Sequence, residues 1–331
     1  MAAVSHSAAP EDFAERQARN RRASALIVFL FICLFLLIGI AVDYLYFDVF
    51  TPAGFSLPVA TLTALALATA ISLMSYYQGS ALVLRSVGAE ALDLQLPEHR
   101  ELHNIVTEMA LASGSPMPRV YAVFDPAPNA FATGRDEFHS SICVTTGLLA
   151  LLNREETQGV IAHEISHIRN NDILLMTLVS VLLGGIALLS DWASRSFYSS
   201  RTRDRAVGKS ALLVIPAFLL ILLSPWISRL LAMAVSRQRE YLADATGAEF
   251  TRNPLGLAKA LEKIRDAALP FHRASRGTAH LFFASPLKRR VDDREGRLAD
   301  LLSTHPPIAR RIMLLRQMAG LAAGHPSRPP E

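Results

Sequence analysis

The hydrophobic positions of this chain are gathered into four uncharged blocks instead of being spread evenly, as they would be in a soluble core. Two blocks lie near the N-terminus: Ala23–Val42, and Val49–Leu84 with its apolar centre near Phe55–Ser75. The other two are Ile173–Leu189 and Ser210–Ile227. A helix of about 20 apolar residues crosses the roughly 30 Å hydrocarbon core of a bilayer. The pattern therefore predicts a membrane protein.

The first two blocks, within residues 23–84, are predicted to form two transmembrane helices. Arginines precede the first span, whereas the loop Asp43–Pro52 carries two Asp and no basic residue. By the positive-inside rule, the basic tail formed by residues 1–22 lies in the cytoplasm. The alternative, a cleaved signal peptide, is disfavoured because the apolar run is too long and no small-x-small cleavage site follows it.

Residues 173–228 are predicted to form a hydrophobic hairpin. Its two blocks are slightly short for full spans, and the loop between them is rich in arginine. If both blocks span, that basic loop faces outward, against the orientation rule, so a hairpin buried in protein remains a second interpretation. No Asp, Glu, Lys, Arg or His lies inside any of the four blocks. This argues against an ion-coupled transporter or a proton channel.

The composition fits one catalytic domain on a membrane anchor. Of 331 residues, 51% are hydrophobic and 19% are charged. Setting the four blocks aside leaves about 250 residues, enough for one domain in two parts, 85–172 and 229–320, followed by a disordered tail, 321–331. The net charge of +4 suits loops near anionic lipid better than a nucleic-acid groove. Two cysteines cannot form a disulfide framework, which favours a reducing compartment.

Between the blocks, the pattern predicts a mainly helical α+β domain with a small sheet. Short strands are expected at Val120–Phe124 and Ser141–Thr146, separated by a loop rich in Pro, Asn and Gly. Asn153 is positioned to cap the helix that follows. Helices are expected over Gly88–Leu111, Gly147–Ile168, Arg229–Phe250, Leu255–Ala268 and Pro306–Ala319.

The sequence HEISH, from His163 to His167, carries the chemistry. Residues i and i+4 share one face of a helix, so both imidazoles can reach one metal ion while Glu164 lies beside it. Two neutral histidines, a third ligand and an open position describe a catalytic zinc site. Zinc there would polarise a substrate carbonyl and acidify a water molecule, and Glu164 would take the proton and return it to the leaving amine.

The third ligand must come from elsewhere, and Glu240 is the best candidate. It lies on a second predicted helix, with Asp244 one turn later on the same face. Asp244 would accept the outer N–H of a ligand histidine and fix its tautomer. Taken alone, both acids also fit a solvated helix face paired with Arg237 and Arg239. If His167 and Glu240 bind the same metal ion, they lie on the same side of the membrane. The chain between them must then cross the membrane an even number of times.

Other residues carry weaker signals. Asn129, Ala130 and Phe131 fit either a cleft edge, to which an extended peptide adds as a strand, or a structural loop. His305 fits either a donor to the developing oxyanion or a turn residue before two prolines. We expect the following residues at the surface or on a solvated helix face: His99, His103, His139, His272, His280, Arg310 and Arg311. Asp172 is expected only to cap a helix or hydrogen-bond near it.

Taken in order, these motifs resemble one protein family. The order of three features resembles that of the HtpX-like membrane zinc endopeptidases, relatives of the CAAX prenyl proteases. These features are HEISHIRNNDI, a hydrophobic hairpin and SRQREYLADATGA. PNAFATG, SICVTTGLL and STHPPIARRI extend the likeness over most of the chain. The N-terminal extension to Arg22 and the Pro-rich tail are not hallmarks of the family.

The resemblance implies a multi-span membrane protein with a gluzincin-type catalytic domain and one catalytic Zn²⁺ ion. Glu240 would be the third ligand. The protein would lie in the bacterial cytoplasmic (inner) membrane, with its active site facing the cytoplasm. Its substrates would be polypeptides, above all damaged or misfolded membrane proteins, and its partners would include the bilayer but no nucleic acid. The resemblance makes no prediction of the oligomeric state.

Two competing classes remain. One is a catalytically degenerate membrane scaffold with a structural metal site, which the intact Glu164 argues against, because a structural site needs no general base. The other is a transporter, which the uncharged blocks disfavour.

Overall fold

The computed structural model describes residues 13–46, 57–182, 184–186, 237–267, 281, 283 and 306–320. Two long helices, α1 (Phe13–Tyr46) and α2 (Val59–Val87), are long and apolar enough to cross a membrane. They pack side by side, and Asp43 near the end of α1 accepts hydrogen bonds from the amides of Ala60 and Thr61 at the start of α2. The carboxylate therefore satisfies two N–H groups that the first turn of a helix leaves open.

Helix α2 continues well past the apolar centre predicted for the second span. It ends at Gly88, whose φ of 68° is left-handed and suits glycine. Its last turns pack Val83, Leu84 and Val87 into a cluster with residues of the sheet, such as Val123. The second membrane helix and the domain therefore share one core.

A four-stranded sheet follows, in the order β1-β2-β4-β3. Strand β2 runs parallel to β4, and the two outer pairs are antiparallel. Strands β2 and β4 confirm the two predicted strands within a residue, whereas the segment that forms β3 was expected in a loop. The bounds are β1 (Glu90–Ala91), helix α3 (Pro97–Ser113), β2 (Arg119–Val123), β3 (Ala130–Gly134) and β4 (Ser140–Thr145).

The next helices are α4 (Thr146–Leu151) and α5 (Arg154–Arg169). The predicted cap is present: Asn153 accepts from the amide of Glu156, whose side chain accepts in return from the amide of Asn153, each at 2.9 Å. An apolar helix, α6 (Asp172–Ile186), covers most of the third hydrophobic block. The fourth block, the loop before it and the tail 321–331 lie outside the described residues.

Helices α7 (Arg237–Thr251), α8 (Pro254–Ala267) and α9 (Ile308–Met318) complete the domain. Helices α7 and α8 approach α5 closely at two glycines. A Cβ on Gly247 would lie 3.0 Å from the backbone nitrogen of His163, and one on Gly159 would lie 2.7 Å from that of Leu257. These contacts enclose α5, so that nearly every residue from 156 to 168 is buried.

Candidate metal centre

Three ligand atoms converge between α5 and α7. The Nε2 atoms of His163 and His167, one turn apart on α5, are 3.2 Å from each other. Glu240, in the first turn of α7, places Oε2 3.9 Å from Nε2 of His163 and Oε1 3.7 Å from Nε2 of His167. All three side chains are buried. The structure thus brings together the three residues that the sequence suggested as ligands.

The spacing of these atoms fits a zinc ion. Zn–N and Zn–O distances of about 2.0–2.1 Å in tetrahedral geometry separate neighbouring donors by about 3.3 Å. The observed separations of 3.2 to 3.9 Å lie close to that value. Two imidazoles and one carboxylate leave a fourth position for water or substrate, as a catalytic site requires. No second group of three His, Cys, Asp or Glu with such convergent atoms occurs among the described residues.

Each histidine is held at its outer nitrogen by a carboxylate. Nδ1 of His163 lies 3.0 Å from Oδ1 of Asp244, and Nδ1 of His167 lies 3.0 Å from Oδ2 of Asp172. A carboxylate at Nδ1 favours the tautomer with the proton on that atom and leaves the Nε2 lone pair for a metal. Asp244 lies where the sequence placed it. Asp172 does more than cap a helix, because it also contacts a candidate ligand.

Arg311 is one residue of the site that sequence reasoning missed. It was expected on a solvated face of the last helix, together with Arg310. That expectation is right for Arg310, which is exposed, and wrong for Arg311, of which only 1% is exposed. Its Nε and Nη2 donate to the two oxygens of Asp244 at 2.8 and 2.7 Å. Arg311 points inward because it shares the buried face of α9 with Ile312 and Leu315.

The buried charges give the two histidines opposite properties in the metal-free chain. Burial lowers the pKa of His163 to about 4, and the charge of Arg311 adds to that effect. Burial alone would also lower the pKa of His167, but the hydrogen bond to Asp172 and the charge of Glu240 raise it to about 9. Burial raises the pKa of Glu164 to about 7. Such shifts are typical of functional sites.

Strand β3 lies beside Glu164 and is the end strand of the described sheet. The backbone of Ala132 lies close enough to Glu164 to lower the pKa of its carboxyl, against the larger effect of burial. Two residues earlier, the carbonyl of Ala130 accepts from the amide of Phe283 at 2.9 Å. The amide of Phe283 therefore already pairs with a main-chain acceptor on the outer edge of β3. Asn129 and Phe131 are buried, and the Phe131 ring packs in the cluster formed with the end of α2.

Three other histidines lie in the described part of the chain, and none of them joins the centre. His99 and His103 are half-buried, and His139 is exposed and pairs with Asp136. His272, His280 and the candidate oxyanion donor His305 lie outside the described residues.

Comparison with known proteins decides the family. The model of peptidase family M48 matches residues 97–319, more than half of the chain and all of the segments that build the metal centre. The chain belongs to peptidase family M48. Its M48 region begins with α3 and includes the HEISH helix, Glu240 and Arg311.

Curated relatives of this M48 peptidase cover nearly its whole length. It is 45% identical to the protease HtpX homolog of Caldanaerobacter subterraneus subsp. tengcongensis, over 92% of this chain and 97% of the relative. It is 41% identical to the protease HtpX homolog of Lactobacillus helveticus, over 91% and 98%. The crystal structure of S. mikatae Ste24p is similar at 18% identity and a TM-score of 0.47, over 91% of this chain and 67% of that one.

These findings confirm the main predictions from the sequence. The chain is a membrane metalloprotease that depends on zinc and hydrolyses polypeptides. Its mainly helical α+β fold, with a small sheet and two membrane helices, is also as predicted.

Proposed function

We propose that His163, His167 and Glu240 bind the catalytic zinc ion and that Glu164 is the general base. The observation that carries this proposal is the convergence, within 4.8 Å of one another, of two Nε2 atoms on the helix that also bears Glu164 and the carboxylate of Glu240 on α7. Asp244 and Asp172 orient the two histidines from behind.

Zinc, when bound, supplies a Lewis acid that polarises the scissile carbonyl and lowers the pKa of a water molecule. Glu164 takes the proton of that water on its carboxylate and passes it to the departing amine. Burial raises the pKa of Glu164 to about 7 in the metal-free chain, which favours uptake of a proton by this carboxylate.

The substrate is bound as an extended segment along the outer edge of β3, at Asn129, Ala130 and Phe131. The carbonyl of Ala130 supports this role as a main-chain acceptor on this edge; the amide of Phe283 donates to it in this structure, and the substrate would take the place of that contact. Strand addition of this kind recognises the backbone of a polypeptide with little regard to its sequence. It suits a protease that acts on many unfolded segments.

The active site faces the cytoplasm. Gln17 and Asn20, at the N-terminal end of α1, donate to the carbonyls of Arg169 and Asn170 at the end of α5. The catalytic domain therefore lies on the same side of the membrane as that end of α1, which the arginines before the first span place in the cytoplasm. An even number of crossings between His167 and Glu240 follows from their shared site.

The biological role is the removal of damaged or misfolded membrane proteins from the bacterial cytoplasmic membrane. The relatives named HtpX homologs and the membrane anchor support it. A degenerate scaffold with a structural metal site fits less well, because the site keeps a buried Glu164 and only three converging ligand residues.

The test compares full-length enzyme purified in detergent with Glu164→Gln and with the matched control Glu155→Gln, an exposed glutamate on the same helix. We expect about one zinc ion in each protein, and cleavage of an unfolded membrane protein that falls about 100-fold or more only in Glu164→Gln. Full turnover by Glu164→Gln would remove it as the base. Zinc in all three with cleavage in none would favour the scaffold.

A further inference from the structure

A side-chain amide from the first membrane helix contacts Asp172, the carboxylate that orients the proposed zinc ligand His167. Asn20 lies on α1 just before the apolar block, and only 3% of it is exposed. Its Nδ2 lies 2.6 Å from Oδ1 of Asp172 and 2.9 Å from the carbonyl oxygen of Asn170. A membrane anchor that served only as a tether would not need a buried polar side chain at this point.

The two oxygens of Asp172 have different partners. Oδ2 faces Nδ1 of His167 at 3.0 Å, and Oδ1 accepts from Asn20. Arg239 lies 3.7 Å from Oδ1 and donates through Nη1 to Oδ1 of Asn20 at 3.3 Å. Asp172 is 1% exposed, so these groups take the place of water around its charge. Rotation of the carboxylate would break the contact with Asn20 or the contact with His167.

We propose that Asn20 is a positioning residue for the metal ligand His167 and acts on it through Asp172. The inference rests on the assignment of His167 as a zinc ligand under Proposed function. Groups that orient the partner of a ligand histidine set the direction of its ring and its basicity. The affinity for zinc and the geometry of the site therefore depend on the seating of α1 against α5.

Gln17 provides a matched control on the same helix. It lies one turn before Asn20 and donates to the carbonyl of Arg169 at 2.8 Å. Both side chains thus satisfy open carbonyls at the end of α5. Only Asn20 also contacts Asp172, so a comparison of the two separates positioning of the ligand from simple docking of the helix.

The experiment uses full-length protein with Asn20→Leu or Gln17→Met, which remove the donated hydrogen bonds and nearly keep the volume. Zinc affinity is measured by competition with a chelator, and the ligand field by the visible spectrum of the Co²⁺-substituted protein. We expect Asn20→Leu to weaken zinc binding about tenfold, at the lower end of the range for outer partners of ligands, and to change the Co²⁺ spectrum. Gln17→Met should stay within about twofold of wild type.

A double-mutant cycle tests whether Asn20 acts on His167 through Asp172. If Asn20 acts through Asp172, then Asn20→Leu adds little to Asp172→Asn, whereas a role in docking alone would add its full effect. Should Asn20→Leu fail to fold, Asn20→Ser replaces it in the same cycle. A wild-type zinc affinity and Co²⁺ spectrum in Asn20→Leu would overturn the inference. So would an equal loss of zinc affinity in Gln17→Met, or additive losses of affinity in the double mutant. Full zinc binding by His167→Ala would instead overturn the ligand set on which it rests.

Discussion

The two histidines of the HEISH helix are held by two different sets of residues. We call His163, Asp244 and Arg311 the Arg311 arm, and His167, Asp172 and Asn20 the Asn20 arm. In both arms a carboxylate lies 3.0 Å from the outer nitrogen of the ring. The Arg311 arm is closed by a charged group from the last described helix, and the Asn20 arm by a neutral amide from the first.

The difference shows that the pKa values of two histidines in one motif can shift in opposite directions. Burial lowers the pKa of His163, and the charge of Arg311 adds to this effect against the hydrogen bond to Asp244, which raises that pKa. The amide of Asn20 leaves the charge of Asp172 in place, and Arg239 is further away at 3.7 Å. The pKa of His167 accordingly rises to about 9, while that of His163 falls to about 4. Burial and the charged groups around each ring therefore set its proton affinity.

The largest effect is expected where the two arms meet. Glu240→Ala removes one of the three proposed ligands, so bound zinc should fall from about one ion per chain to near zero, and cleavage with it. Glu249→Ala, at an exposed position of the same helix, is the control. Metal analysis of both purified proteins checks the prediction. A normal zinc content in Glu240→Ala would place the third ligand elsewhere.

Breaking the Arg311 arm should cost folding stability. Arg311→Met leaves the carboxylate of Asp244 buried without its cation, which costs about 3–5 kcal/mol in comparable buried pairs. Arg310→Met changes the exposed neighbour and should leave stability nearly unaltered. Thermal unfolding in detergent, without metal, compares the two. Equal melting temperatures would show that Arg311 does not hold the fold together.

The two carboxylates should differ when each is neutralised. Asp244→Asn and Asp172→Asn should each weaken zinc binding by about 10-fold to 100-fold, because each loses the anionic partner of a ligand ring. Asp244→Asn should also destabilise the protein more, since the buried guanidinium of Arg311 then keeps only the more distant carboxylate of Glu240, 3.5 Å from its Nη1. Chelator competition and thermal unfolding measure the two effects. A greater loss of stability in Asp172→Asn would reverse the comparison.

The sequence was sufficient for the parts of the site that follow local rules. The spacing of His163 and His167, the cap at Asn153 and the acid pair on α7 all depend on helical periodicity, and the structure has them as expected. Strands β2 and β4 were also recognisable, because they are short apolar runs between turn residues.

What the sequence did not predict depends on distant contacts. Strand β3 was expected as a loop because proline and asparagine precede it and glycine ends it; its pairing with β4 makes it a strand. Arg311 lies 148 positions from His163, and only the packing of α9 turns it inward. Asn20 lies 152 positions from Asp172, in a segment that sequence reasoning treated as a basic tail. Local spacing in the sequence therefore predicts neither the contact of Arg311 nor that of Asn20.

The smallest effect concerns protons and sharpens the comparison. At about pH 8, His167 is a doubly protonated imidazolium in the metal-free chain, whereas His163 is a neutral imidazole, since their pKa values are about 9 and about 4. Zinc binding must displace one proton of the imidazolium, so we expect release of about one proton and an affinity that weakens as pH falls. Calorimetry in buffers of different ionisation enthalpy measures the release. Asp172→Asn should reduce it, and an unchanged value would contradict the role of that carboxylate.

The most direct test of the central claim is zinc K-edge X-ray absorption of the full-length protein with one zinc ion bound. The account predicts two imidazoles and further oxygen ligands at about 2.0–2.1 Å, with no sulfur. A single imidazole in the first coordination shell, or a sulfur atom at about 2.3 Å, would contradict a site built from His163, His167 and Glu240.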